Sequence, residues 1–377
     1  MRLLRTQVAL AATATLALLL TSPPTGAMPL VKPARFHAQS MSWISSSEGR
    51  MLGWSPCGTG TCTTVVGTTN GGRTWRRLAT LTAPLTIEKA AGITQIRFAD
   101  GLNGWAFEPS LRATSDGGST WTREPIPGGG HLVLGLAADT DVAYAVVSPC
   151  RLNRLCGSPL TLWRTKPGSA SWEQVPLSLP SFAGFGDVIL AVHGSVAYLS
   201  IPKPTATQPD VLDVTLDGRH WTSRRDPCTF ANDEFLSGIA PITDEDVAML
   251  CVGDPGFGYA EKRVVRSDDA ARTFTPAGVT PDLGIISQLA ATPDGSTLVV
   301  PSYSIGTWIY RNGGGETWTT PVDLGDGGMG WNDMSFTTNQ VGFVIHGPAE
   351  FPWLPGELWK TTDGGMTWGS TVIAVRR

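Results

Sequence analysis

The stretch TTDGGMTW, residues 361–368, decides the fold, because nearly the same string stands at 68–75 as TTNGGRTW and at 114–121 as TSDGGSTW. Allowing degeneracy, four more copies follow: TKPGSASW (165–172), TLDGRHW (215–221), SDDAARTF (267–274) and RNGGGETW (311–318). The closing aromatics are Trp75, Trp121, Trp172, Trp221, Phe274, Trp318 and Trp368, separated by 46, 51, 49, 53, 44 and 50 residues. A period of this size, held over most of the chain, marks a repeat architecture.

Turn chemistry accounts for the string. Its acid (Asp116, Asp217, Asp269, Asp363) can accept hydrogen bonds from nearby backbone N–H groups and fold a tight corner. The glycines permit positive φ. The final aromatic begins the next strand and carries a large apolar surface to bury. A structural role for all of these residues is the expectation.

Each copy stands in similar company. Upstream lie two apolar runs joined by a Gly, Asn or Asp turn, as in ITQIRFADGLNGWAFEP and GIAPITDEDVAMLCVG. A third run enters the corner (TLWRT, RVVRS, TWIYR, ELWKT) and a fourth leaves it. These read as strands joined by hairpins, with no convincing amphipathic helix. The expected fold is all-β: a seven-bladed β-propeller with four antiparallel strands per blade, formed as a single domain over residues 28–377.

Residues 1–27 read as a secretory signal peptide. Arg2 and Arg5 precede a thirteen-residue apolar run, Val8–Leu20, and small residues stand at Thr25 and Ala27. The run is shorter than the roughly 20 residues of a membrane span, so a secreted or envelope protein without a span is expected. The whole chain carries 28 basic and 32 acidic residues, and the mature part 26 and 32. A mildly acidic chain is poorly suited to nucleic acid. An oxidising compartment favours disulfides for the six cysteines, and proximity suggests Cys57–Cys62, Cys150–Cys156 and Cys228–Cys251. No CxxC occurs, the histidines do not cluster near the cysteines, and the adjacent acids Asp244, Glu245 and Asp246 read as turn residues. Neither a metal nor a cofactor is expected, and a monomer is.

The pattern Ser/Thr-x-Asp-x-Gly-x-Thr-Trp/Phe resembles the Asp-box, or BNR repeat, of sialidase-like and sortilin-like propellers, two-domain xyloglucanases and photosystem II assembly-factor propellers with their bacterial relatives. The resemblance covers about residues 35–377. It implies a propeller whose boxes lie away from any active site.

With strands lettered A to D from channel to rim, the boxes are C–D turns. The B–C and D–A loops then share the opposite face, and the long irregular segments and all six cysteines fall there. Trp331, Trp353, Arg151, Arg154, Arg224 and Arg225 lie in such loops and are candidate binding residues. Both tryptophans are equally readable as caps over the channel end. The leading expectation is a non-catalytic module that binds a protein or glycan through this face. The alternative is a sialidase-like exo-acting glycoside hydrolase. The resemblance would then require an arginine cluster, a tyrosine nucleophile with a glutamate, and an aspartate acid/base. Tyr259, Glu261 and Asp254 are weak catalytic candidates, with Arg112, Arg154, Arg225 and Arg263 beside them. The signature Phe/Tyr-Arg-Ile/Leu-Pro is absent, and PARFHAQ (33–39) does not match it. Loop acids for a carboxylate pair would be Asp233, Glu234, Asp282, Asp326 and Asp333.

Overall fold

The computed structural model describes residues 35–152, 156–182, 187–202, 209–228, 234–315, 317–347, 356–371, 373 and 375–376. Among them the chain forms seven antiparallel sheets in sequence order, and no α-helix. Blade 1 is β1 (His37–Trp43), β2 (Gly49–Cys57), β3 (Gly60–Thr68) and β4 (Trp75–Leu81). Blade 2 is β5 (Gln95–Phe98), β6 (Gly104–Phe107), β7 (Leu111–Thr114) and β8 (Thr122–Arg123). Blade 3 is β9 (Leu132–Asp139), β10 (Val142–Ser148), β11 (Thr161–Thr165) and β12 (Glu173–Gln174). Blade 4 is β13 (Ile189–His193), β14 (Val196–Ile201), β15 (Val211–Thr215) and β16 (Trp221–Arg224). Blade 5 is β17 (Phe235–Pro241), β18 (Val247–Val252), β19 (Lys262–Ser267) and β20 (Thr275–Val279). Blade 6 has a split inner strand, β21 (Ile286–Ser287) and β22 (Ala290–Ala291), then β23 (Leu298–Tyr303), β24 (Thr307–Asn312) and β25 (Thr319–Leu324). Blade 7 is β26 (Trp331–Phe336), β27 (Gly342–His346), β28 (Glu357–Thr361) and β29 (Gly369–Thr371), and β30 (Val375–Arg376) follows it.

The innermost strands neighbour one another in the order β1, β5, β9, β13, β17, β22, β26, and β26 returns to β1. The protein is therefore a closed seven-bladed β-propeller. Its apolar core is divided into seven clusters, one between each pair of adjacent blades. Every second strand thus has both faces covered. VAYLSI in β14 and VAMLCV in β18 are buried at every position, which is why these segments are continuous apolar runs without polar alternation.

The corner strings fold as local hydrogen-bonded turns. In blade 2 the Thr114 hydroxyl donates to Asp116 at 2.8 Å and accepts from Gly118 N at 3.0 Å. Asp116 also accepts from Thr120 N at 2.9 Å and the Thr120 hydroxyl at 2.7 Å. Asp269 and Asp363 repeat the arrangement with Thr273 and Thr367. Asp217 uses His220 in place of the threonine. These bonds to the ionised form hold the Asp269 and Asp217 carboxyls well below the ordinary range. In blade 3, where Pro167 replaces the acid, Thr165 instead donates to Ser171 O at 2.7 Å. Of the closing aromatics, Trp75 and Trp318 are buried. Trp121, Trp172, Trp221, Phe274 and Trp368 are half-buried.

Closure uses several contacts. β30 adds to the outer edge of blade 1, parallel to β4, with Val375 opposite Trp75. Ala38 N donates to Gly356 O at 3.1 Å. Near the axis, Asp333 accepts from the Ser40 hydroxyl at 2.5 Å, from Met41 N at 2.9 Å and from Arg97 at 2.9 Å. Blades 7, 1 and 2 are so joined through one carboxylate. Asp333 is thus a strand residue, not the loop acid expected from sequence. Its φ of +44° is a strained value for a non-glycine residue, sustained by this set of donors.

Candidate functional site

The three cysteine pairs suggested by proximity are the pairs formed: Cys57–Cys62, Cys150–Cys156 and Cys228–Cys251. The first closes the β2–β3 hairpin and the second pinches the loop after β10. The third ties the segment after β16 to β18, at the edge of the seam between blades 4 and 5.

That seam opens outward into a groove of about 960 Å³. Leu212, Val265 and Phe274 give it an apolar floor, Arg224, Arg225, Asp226 and Arg263 line its polar part, and Arg272 and Thr273 of the blade 5 corner bound it on the other side. The groove forms because β16 ends at Arg224 and the chain turns through a Pro-containing segment held by the Cys228 bridge. Arg263 is fixed: it donates to both oxygens of Glu234, at 3.1 and 2.6 Å, and to Pro227 O at 2.9 Å. Arg224 reaches Ala270 O at 3.4 Å. Arg225 is exposed and, among the described residues, makes no ion pair. Beneath it, buried Asp226 accepts from Cys228 N at 2.9 Å and from Asp210 N at 3.0 Å. Burial pushes the Asp226 carboxyl up to about 6, and the charge of Asp210 adds to the rise against the Cys228 bond. An exposed guanidinium lining a partly apolar groove suits a carboxylate or another planar anion.

The other sequence candidates are dispersed. Arg151 is exposed beside the Cys150–Cys156 bridge. Arg112 is a mid-strand residue of β7, opposite Ala106, rather than a loop arginine. Trp331 is the first residue of β26 and only 3% exposed. Its indole donates to Trp308 O at 2.7 Å, and its ring packs against His346 and Trp359. It therefore offers no ring to a ligand. Asp326 accepts from Thr307 at 2.8 Å and lies 2.7 Å from His346 Nε2. Glu234 is buried against Arg263. Asp282 is exposed. Glu245 and Asp246 donate backbone N–H to the Thr243 hydroxyl within the β17–β18 turn. Trp353, Arg154 and Asp233 lie outside the described residues.

Tyr259, Glu261 and Asp254 are all exposed on the β18–β19 loop. No hydrogen bond or ion pair joins their side chains among the described residues. Arg112, Arg225 and Arg263 belong to blades 2, 4 and 5, and Arg263 is already committed to Glu234. The structure thus brings Arg225 and Arg263 to one groove and leaves the three weak catalytic candidates apart from it. Sequence reading missed the groove itself, since it depends on how two blades splay.

No family model and no curated protein matches the chain. Solved propellers do. A structure described as YCF48 bound to D1 peptide is 17% identical, with a TM-score of 0.54 over 89% of this chain and 95% of that one. An ancestral GH74 enzyme is 13% identical, with a TM-score of 0.55 over 91% of this chain and 47% of its own. A prolyl endopeptidase is 11% identical, with a TM-score of 0.60 over 90% of this chain and 50% of its own. The chain spans about half the length of each of these two enzymes. At such identities the likeness is one of fold: this chain is similar to propellers that serve both binding proteins and enzymes.

Proposed function

We propose that this chain is an exported Asp-box propeller that acts as a non-catalytic binding module, engaging a protein or glycan partner through the loop face opposite the corner turns. The observation that carries this reading is Arg225, which follows β16 on the loop face, is exposed and, among the described residues, makes no ion pair; it lines a groove between blades 4 and 5 that extends to the blade 5 corner. Its chemistry selects an anionic group, a carboxylate above all. A similar propeller described as bound to a peptide supports the same direction.

The test pairs a glycan array with a panel of acidic peptides, each run with the wild-type protein and with Arg225→Glu. Retention should weaken with salt and fall about tenfold in the variant, the loss of roughly one charge-assisted contact. Turnover of a fluorogenic sialoside, lost in Tyr259→Phe, would replace this reading with that of a glycoside hydrolase.

A further inference from the structure

Three loops of blades 5 and 6 meet on the loop face and leave a cluster of large apolar side chains in solvent. Phe257 is 91% exposed, Ile305 58%, Ile286 52%, Tyr259 51% and Leu283 41%. They come from the β18–β19 loop, the β20–β21 connection with the start of β21, and the β23–β24 turn. Contacts among these segments make the cluster continuous. Tyr259 bridges to Leu283 and Gly284. Gly258, at φ +86°, lies so close to Ile305 that a Cβ there would stand 2.9 Å from its Cδ1. The Ser304 hydroxyl donates to Gly258 O at 2.9 Å, and Ile286 pairs with Tyr303.

The platform beneath is stiff. Lys262 is wholly buried, and its three N–H groups are shared among Ala260 O at 2.8 Å, Asp282 O at 2.9 Å, Gly284 O at 3.0 Å and Leu283 O at 3.1 Å. One ammonium group thereby ties the β18–β19 loop to the β20–β21 connection. Tyr310 adds a hydroxyl bond to Leu283 O at 2.8 Å. A grouped apolar surface held in one shape loses little entropy on binding, and grouped exposed side chains of this kind mark interaction sites.

Charge selects the occupant. Asp254, Glu261 and Asp282 are exposed, lie in the same loops and form no ion pair among the described residues. Exposed carboxylates in the same loops as the aromatic rings favour a cation, which can also rest on the face of Phe257 or Tyr259.

We propose that this platform docks an extended segment of a protein partner in which apolar side chains alternate with lysine or arginine. The proposal shares the binding reading of the loop face but does not depend on the groove at Arg225.

Fluorescein-labelled nonapeptides in which leucine and phenylalanine alternate with lysine, glutamate or serine provide the probe, read by anisotropy at low and high salt. The lysine series should bind at least about tenfold tighter than the glutamate series. Phe257→Ser should remove at least about tenfold of that affinity, while its denaturation curve stays that of the wild type because the ring is in solvent. Neutralising Asp254, Glu261 and Asp282 together should flatten the salt dependence of the lysine series, and Arg225→Glu should leave the affinity of that series unchanged. Lysine-series binding no tighter than that of the serine series, untouched by Phe257→Ser, or lost in Arg225→Glu would overturn the proposal. So would concentration-dependent self-association in sedimentation that Phe257→Ser abolishes, since a second copy would then be the occupant.

Discussion

Lys360, in the last blade, donates to the carbonyl oxygen of Gly71 in the corner turn of the first, at 3.1 Å. The contact recurs around the ring. Arg50 reaches Gly117 O at 2.9 Å, Arg164 reaches Gly218 O at 2.7 Å, Arg224 reaches Ala270 O at 3.4 Å and Arg311 reaches Gly364 O at 2.7 Å. In each case a cation of one blade binds the fourth position of the corner in the next. The corner is therefore both a local turn and an acceptor for its neighbour.

Arg50 offers the sharpest test of this ring. It is buried, and besides Gly117 O it donates to Gly49 O at 3.2 Å and to Glu48 at 2.7 Å. Arg50→Met leaves these acceptors short of donors, and the expected loss is about 2–4 kcal/mol in urea unfolding. Arg76→Ala, on the exposed side of β4, should stay within about 0.5 kcal/mol of the wild type. Equal effects of the two would mean that the interblade bonds do not contribute net stability.

Much of this architecture is legible in sequence, and the limits have a physical cause. The corner strings are local: their donors and acceptors lie within four residues, so spacing alone gives seven blades and the face on which they turn. The basic residue at the end of the third strand in TLWRT and TWIYR, Arg164 and Arg311, is visible as well. Their partners, Gly218 and Gly364, lie 54 and 53 residues away in the next blade, and nothing local announces them. In blade 1 the equivalent position is Gly67, whose missing side chain leaves room for Arg50; a Cβ there would stand 3.3 Å from its Cδ. Exposure is the least legible property. Trp331 reads as a loop aromatic yet is buried by blades 6 and 7, whereas Phe257, inside a run of glycines, stands almost fully in water.

Corner conformation gives an opposed pair of substitutions. Gly117 has φ +72°, and a Cβ there would stand 2.8 Å from Gly101 O. Gly117→Ala should destabilise by about 1–3 kcal/mol. In blade 5 the same turn is made by Ala270 at φ +56° and Ala271 at φ +62°. Ala270→Gly removes a left-handed penalty of roughly 1–2 kcal/mol against an entropic cost of roughly 0.5–1 kcal/mol. Its thermal midpoint should equal or slightly exceed that of the wild type.

The disulfides should differ in weight. Cys228 and Cys251 are 23 residues apart, against 5 for Cys57 and Cys62. Loop-closure entropy alone assigns about 3.4 kcal/mol to the longer loop and about 2 kcal/mol to the shorter one. Cys228 and Cys251 also belong to the apolar cluster between blades 4 and 5, so the double serine variant puts two hydroxyls into that core. Cys228→Ser with Cys251→Ser should lower the denaturation midpoint clearly more than the Cys57→Ser and Cys62→Ser pair.

Asp226 makes the stability of the fold pH-dependent, and the sign follows from the direction of its shift. Its carboxyl is raised from 3.8 to about 6 in the folded protein, so between these values the folded state holds the proton more tightly than the unfolded chain. The stability it contributes is complete below about pH 4 and is lost as the pH rises through about 6. Asp226→Asn cannot ionise and keeps one acceptor for the N–H groups of Cys228 and Asp210. Measured against the wild type in parallel urea titrations, the variant should gain about 1–3 kcal/mol in relative stability between pH 4 and pH 7. A constant difference across that range would show that Asp226 titrates normally and is not held in a low-dielectric pocket. Loss of relative stability with rising pH would mean that the carboxylate is favoured there, with the neighbouring arginines outweighing burial.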